Sequence, residues 1–160
     1  MLRQFREDDF EAYLGIVSDS EVRRYLGGGD APSREEAWRH MAMVAGIWTI
    51  RGYGPWAVAL RTTGELLGRA GVWFPEGWPD IEVGWVIGRE HWGFGYATEA
   101  GAEGLRQAFA CLGVSHVTSL IHPEDVASRH VAEKLGGQVE KTDAFHGQGL
   151  LFYGYTAPPR

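Results

Sequence analysis

The chain has 160 residues, 44% hydrophobic and 22% charged, with a formal net charge of −6. This is the composition of a soluble globular protein, and the length suits one domain, residues 1–160, with a substantial core. It argues against a membrane protein, since no apolar run reaches the roughly 20 residues of a span, against a secreted one, since the acidic N-terminus is unlike a signal peptide, and against a nucleic-acid binder, since no basic run is present to follow a phosphate backbone.

In chain order, two helical patterns flank the loop punctuation Gly27-Gly28-Gly29-Asp30-Ala31-Pro32. Ser33 and Glu36 form a capping-box pattern, which starts the second helix; it runs to about Ile50, where Gly52 and Gly54-Pro55 end it. Trp56, Val58 and Leu60 alternate as a strand, and Thr63-Gly64 marks a hairpin into residues 65–74. Ile81, Val83, Trp85 and Ile87 alternate with Glu82, Gly84, Val86 and Gly88, which puts Glu82 and Val86 on one face of a strand. A helix from about Ala97 carries Ala97, Gly101, Leu105, Ala108 and Leu112 on one stripe and ends near Gly113. Residues 117–121 read as a buried strand, and residues 126–135 as a helix stopped by Gly136-Gly137. Strands at 138–142 and 150–156 complete a mixed α/β order, with antiparallel hairpins around a central β-α-β unit.

The most informative stretch joins that unit: Trp92-Gly93-Phe94-Gly95-Tyr96-Ala97-Thr98-Glu99-Ala100, between strand and helix. A helix start leaves backbone N–H groups unpaired and carries partial positive charge, so it suits a phosphate. Gly93 and Gly95 let the backbone approach such an anion without side chains in the way. Two nucleotide motifs fail on particular positions. A dinucleotide fingerprint needs glycine where Thr98 stands and an acidic residue where Ser115 stands, and a P-loop needs a lysine that is not there. A phosphate site and a plain strand-to-helix turn both fit the residues.

The block from Glu82 to Ala100 resembles the acyl-CoA-binding motif of GNAT-superfamily N-acetyltransferases, and within them the RimJ/RimL-like branch, with Trp92 in place of the usual Gln or Arg. Matching pieces run along nearly the whole chain: residues 19–27, Thr63-Gly64-Glu65-Leu66-Leu67-Gly68, His122-Pro123-Glu124-Asp125-Val126-Ala127-Ser128 and Ala132-Glu133-Lys134-Leu135-Gly136. The resemblance implies the GNAT fold, a mostly antiparallel mixed sheet whose strands near Val86 and Val117 splay apart. It implies acetyl-CoA as donor and an amine as acceptor. The backbone of Gly93, Phe94, Gly95, Tyr96, Ala97 and Thr98 is implied to grip the pyrophosphate. Val86 and Ile87 are implied to pair with the pantetheine and to polarise the thioester carbonyl.

Acetyl transfer to an amine also needs a proton acceptor and a donor for the leaving thiolate. Glu82 is the first candidate base, against a solvent-facing strand residue; His122 is the second, against a structural histidine. Ser128 is the candidate donor, with Tyr153 behind it, and Ser128 also fits an ordinary first-turn residue. Asp125 stands where the resembled pattern has asparagine. Both cap helices, but ionised aspartate cannot donate the amide hydrogen bond expected toward the cofactor.

The single cysteine, Cys111, excludes an internal disulfide, fits a reducing cytoplasm, and reads as a small buried residue rather than an acyl-carrying nucleophile. The expected reaction is therefore direct attack in a ternary complex. The six histidines show no metal-ligand spacing, so no metal is expected; Trp38, Trp48, Trp73, Trp78, Trp85 and Trp92 are candidates to line an acceptor pocket, with core packing the first reading for most. The acceptor is left open between a protein or peptide N-terminus and a small-molecule amine, and the assembly between monomer and homodimer. The alternative reading is a non-catalytic acyl-CoA-binding sensor or interaction module.

Overall fold

The computed structural model describes residues 1–27 and 29–158. Its N-terminal part is built from short local signals. Strand β1 (Leu2–Arg3) is followed by helices α1 (Phe10–Ser18) and α2 (Ser20–Arg23), the second capped by Asp19 accepting from Glu21 N–H at 2.8 Å. Arg3 grips the nearly buried Asp9 through both its terminal nitrogens, at 2.6 and 2.7 Å. Helix α3 (Arg34–Arg51) has the expected capping box, Ser33 N–H to Glu36 at 2.8 Å and Glu36 N–H to Ser33 Oγ at 3.2 Å. Gly52 ends it in the left-handed conformation, φ 72°.

Strands β2 (Pro55–Ala59), β3 (Leu66–Trp73) and β4 (Glu82–Ile87) follow, then helix α4 (Tyr96–Arg106), β5 (His116–Ile121), α5 (Val126–Lys134), β6 (Gln138–Phe145) and β7 (Gln148–Thr156). The fold is mixed α/β. The seven strands among the described residues form one sheet in the order β1-β2-β3-β4-β5-β7-β6, antiparallel except where β5 lies parallel to β4 across the α4 crossover. Helices α4 and α5 cover one face, packing Leu105, Ala108 and Ala132 against Val72, Val83, Val117 and Tyr155. Helices α1 and α3 cover the other, where Tyr13, Ile16 and Met41 meet Ala57, Leu66 and Val86.

Four details differ from the sequence reading. Strand β1, two residues long, was too short to leave an alternation signal. The last two strands are longer than expected because they share a tight hairpin through His146 (φ 48°) and Gly147 (φ 77°); a His-Gly pair is a weaker turn signal than Asn-Gly. The helix stripe after Tyr96 changes to a π-helical turn at Gln107–Cys111. That turn leaves Cys111 exposed, where a buried residue was expected.

The β4–β5 pairing determines where a ligand can enter. It holds at a single register point, Glu82 opposite Thr118, with Thr118 N–H bonded to Ile81 O at 2.9 Å. Beyond it the ladder stops. The Ser119 hydroxyl takes the Val83 carbonyl, and Leu120 N–H points at the Glu82 carboxylate, 3.4 Å away. The sheet opens between the two parallel strands.

Candidate active site

Two cavities meet at this opening. One, about 490 Å³, runs along the start of α4 and α5; the other, about 400 Å³, lies on the α1–α3 side of the sheet. Tyr25, Leu26, Trp85, Val86, Asp125 and Ser128 line both, so the two form one passage through the split sheet.

The first cavity holds the glycine loop. Gly95 is the N-cap of α4 in the left-handed conformation (φ 85°), Gly93 has φ 81°, and no side chain caps the helix. A Cβ built on either glycine meets nothing within 4 Å, so the loop is a shallow open cradle. The first intrahelical bond closes at Glu99 N–H to Gly95 O, which leaves the N–H groups of Tyr96, Ala97 and Thr98 without helical partners. These are the features an anionic diphosphate requires, and the residues present fit it. Gly93, Gly95, Tyr96, Ala97 and Thr98 line the cavity; Phe94 does not, and its exposed ring leans on Tyr96 instead. Arg24, His130 and Lys134 also line it. The sequence reading missed these residues, because they come from two distant segments, Arg24 after α2 and the other two on α5, and share no motif.

Backbone direction on β4 corrects one expectation. Gly88 N–H bonds to Leu67 O on β3, and Ile81 O accepts from Thr118 on β5. Alternation along the strand therefore turns the peptide groups of Val86 into the β3 ladder and those of Trp85 and Ile87 toward the opening. The Ile87 carbonyl is already taken by the Trp92 indole at 2.7 Å. Val86 thus meets the passage with its side chain, and the peptide groups of Trp85 with the N–H of Ile87 face it.

The second cavity holds Glu82. Its carboxylate accepts from Trp78 Nε1 at 2.6 Å and is 9% exposed. Burial pushes its pKa up to about 7, against the opposing pull of the Trp78 and Leu120 donors and the charge of Arg69. Above Gly84 the space is open: a Cβ there would meet only the Glu82 carboxyl, at 3.4 Å. His122 stands at the wall common to Tyr25, stacked on its ring at 5.0 Å, with Nδ1 accepting from Glu124 N–H at 3.2 Å. Ser128 lies at the junction, its N–H held by Asp125 at 3.0 Å, so Asp125 caps α5 as its residue type predicts. Tyr153 is excluded as a donor. It is buried in the core on the other side, its hydroxyl held by Arg129 and Glu133.

Four further residues complete this cavity, Trp73 and Trp78 together with His40 and Arg69, the last two not singled out in the sequence. Burial first and the charge of Arg69 second hold His40 down to about 4, so it is neutral, and its Nδ1 shares a 2.5 Å hydrogen bond with the Tyr13 hydroxyl. Trp73 and Trp78 are two of the tryptophans that the sequence reading offers for an acceptor pocket while preferring core packing for most; they wall the cavity together with Phe145 and His146 from the last hairpin.

A helix start open to an anion, joined through a split sheet to a buried carboxylate, is an arrangement suited to a transferase that presents a long phosphorylated donor to a second substrate. The family model described as an acetyltransferase (GNAT) domain matches residues 1–138, and the chain belongs to that family of acetyl-CoA-dependent N-acetyltransferases. It is 30% identical to the uncharacterized N-acetyltransferase YoaA of Bacillus subtilis (strain 168), over 88% of this chain and 80% of that protein. The crystal structure of an acetyltransferase from Agrobacterium tumefaciens str. C58 superposes with a TM-score of 0.87 at 28% identity, covering 98% of this chain and 90% of that one. The aminoglycoside acetyltransferase AAC(6')-Ib, solved in complex with coenzyme A, shares the fold at a TM-score of 0.79 and 15% identity, over 98% and 94% of the two chains. Membership makes the chain an enzyme with acetyl-CoA as donor, and the sensor reading gives way. No helix among the described residues is long and apolar enough to cross a membrane, and no group of three or more potential metal ligands occurs among them.

Proposed function

We propose that this enzyme acetylates a small primary amine, or the first residue of a peptide, by direct attack within a ternary complex. What carries the reading is the passage itself: a donor cleft and an acceptor cavity share a wall at Val86 and Ser128, with Glu82 on the acceptor side alone. The sequence of the glycine loop supports a RimJ/RimL-like placement within the family.

Acetyl-CoA supplies the acetyl thioester. The backbone N–H groups of Tyr96, Ala97 and Thr98 hold its diphosphate, and a β4 N–H facing the opening polarises the carbonyl. Glu82, ionised above about pH 7, takes a proton from the acceptor ammonium, whose nitrogen then attacks the carbonyl carbon. As the carbon–sulfur bond breaks, the Ser128 hydroxyl donates a proton to the leaving thiolate and recovers one from the nitrogen of the adduct, which gave its first proton to Glu82 and leaves as the neutral amide. His122, at the other end of the acceptor wall, is the second candidate base. Cys111, exposed and outside both cavities, carries no acyl group.

The test is calorimetric binding of acetyl-CoA, with NAD and ATP as controls, followed by thiol release against peptide and small-amine acceptors. Selective donor binding with amine-dependent thiol release is expected, and full turnover in Cys111→Ala. Isolation of acetyl-Cys111, or donor binding with no amine-dependent release, contradicts this mechanism.

A further inference from the structure

The acceptor cavity contains a cation that the chemistry above does not use. Arg69 on β3 lies directly opposite Val86, Gly71 opposite Gly84 and Trp73 opposite Glu82, so these pairs follow one another along the α1–α3 face of the sheet. Arg69 and Glu82 therefore bracket two glycines: the space over Gly84 is open to the cavity, whereas at Gly71 the Trp56 ring stands 2.8 Å from where a Cβ would be. The backbone positions of Arg69 and Glu82 are about 13 Å apart along the strands. The Arg69 side chain shortens that span, since its guanidinium leans over the Trp73 ring at 5.6 Å, toward Glu82. Its charge is felt at Glu82, His40 and Tyr13. Yet it forms no ion pair among the described residues, and its buried Nε has no hydrogen-bond partner among them.

A half-buried guanidinium without a carboxylate is costly to the fold unless a ligand supplies one. The neighbours supply no carboxylate for that role: His40 is neutral, the Tyr13 hydroxyl offers Arg69 only an uncharged hydrogen-bond acceptor, and Trp73 is apolar. Among acidic side chains only Glu82 and Asp125 line the cavity, and Asp125 is occupied by the cap of α5. Such a lining is poor for a polycation, which needs several carboxylates. It suits a molecule with one ammonium, one anion and an uncharged body against the aromatic walls.

We propose that Arg69 is a specificity-determining residue that receives the carboxylate of the acceptor, and that the acceptor is accordingly an amino acid with a free carboxylate, its amine directed at Glu82. This deepens the acetyl-transfer reading and rests on it for the direction of the amine. Planar guanidinium and carboxylate match as a fork, and the pair is formed away from bulk water, where charge-assisted bonds discriminate best.

The experiment compares the twenty protein amino acids with their carboxamides as acceptors, by thiol release with acetyl-CoA. Expected is at least one amino acid whose kcat/KM exceeds that of its amide by about 30-fold or more, mostly through KM, as a site built for a polar group rejects the analogue lacking it. Arg69→Gln brings that ratio close to one, and Arg69→Lys recovers part of it, keeping the charge without the fork. Equal use of acids and amides, preference for amides, or an undiminished ratio in Arg69→Gln overturns the proposal while leaving acetyl transfer intact. Where neither set is acetylated, titration of each amino acid into the coenzyme A-saturated protein decides. Binding that Arg69→Gln abolishes sustains the anion site and removes the transfer reading; no binding of any amino acid removes the anion site.

Discussion

Trp78 and Glu82 are joined by a 2.6 Å hydrogen bond from the indole N–H to the carboxylate, four residues apart across the turn into β4. The bond opposes the burial that raises the Glu82 pKa, because it favours the charged form. Trp78 also packs edge-on against Trp73 and Phe145, so the donor is fixed from both sides of the cavity. Trp78→Phe keeps the ring contacts and deletes the donor. The acidic limb of kcat/KM, set in the wild type near the Glu82 value of about 7, is expected to move up by roughly half to one unit. An unshifted pH profile in Trp78→Phe would mean that a group other than Glu82 sets that limb, with His122 next in line.

Glu82 should also depress stability at the pH where it works. Its folded pKa of about 7 lies above the ordinary glutamate value of 4.5, so the folded state holds the proton more tightly than the unfolded chain. The sign follows: the stabilising effect of that proton is fully present below about 4.5, and is lost as pH rises to about 7. Above that the buried charge costs on the order of 3 kcal/mol, at about 1.4 kcal/mol per unit. Glu82→Gln is therefore expected to match the wild type near pH 4.5 and to exceed its stability at pH 8 by roughly 2–3 kcal/mol in denaturant melts. Its kcat should fall by about 10²–10⁴. Stability curves that stay parallel across pH would show Glu82 to be ordinary in its ionisation.

What was legible in the sequence is what depends on neighbours along the chain. The capping box at Ser33 and Glu36, the glycines before α4 and the Asp125 cap each declare themselves within a few residues, and each is present in the structure. So does the alternation that puts Glu82 and Val86 on one face. Arg69 and His40 were not legible, and Trp78 was only one of several candidate pocket tryptophans, because their importance comes from β3, α3 and the β3–β4 turn converging on one cavity. Tyr153 and Cys111 were misplaced for related reasons. A strand residue's face depends on which helix covers it, and a π-helical turn rotates every residue after it relative to the 3.6-residue stripe.

The glycine loop separates strain from ligand contact. Gly95 has φ 85°, which costs a side-chain-bearing residue about 1–2 kcal/mol, although a Cβ there meets no protein atom within 4 Å. Gly64, in the β2–β3 hairpin away from both cavities, has φ 78° and equally open space. Gly95→Ala and Gly64→Ala should therefore lose similar stability, about 1 kcal/mol each. Only Gly95→Ala should weaken acetyl-CoA binding, by about 10-fold or more, since its methyl group stands where the diphosphate approaches the helix N-terminus. Equal affinities in the two variants, measured by calorimetry, would count against the cradle.

Asp125 serves the helix well and the donor badly. Its carboxylate accepts Ser128 N–H at 3.0 Å, which caps α5 and complements the positive end of the helix dipole. The same side chain lines the donor cleft, where an ionised carboxylate repels an anionic donor and offers no N–H. Asp125→Ala removes the cap and should cost about 1 kcal/mol of stability. Asp125→Asn keeps the capping oxygen, so its melting temperature should stay close to that of the wild type. It also removes the charge and adds an amide donor, so acetyl-CoA should bind roughly 3- to 10-fold more tightly, an effect the size of one modest hydrogen bond. Weaker or unchanged binding in Asp125→Asn would show that the aspartate costs the donor nothing.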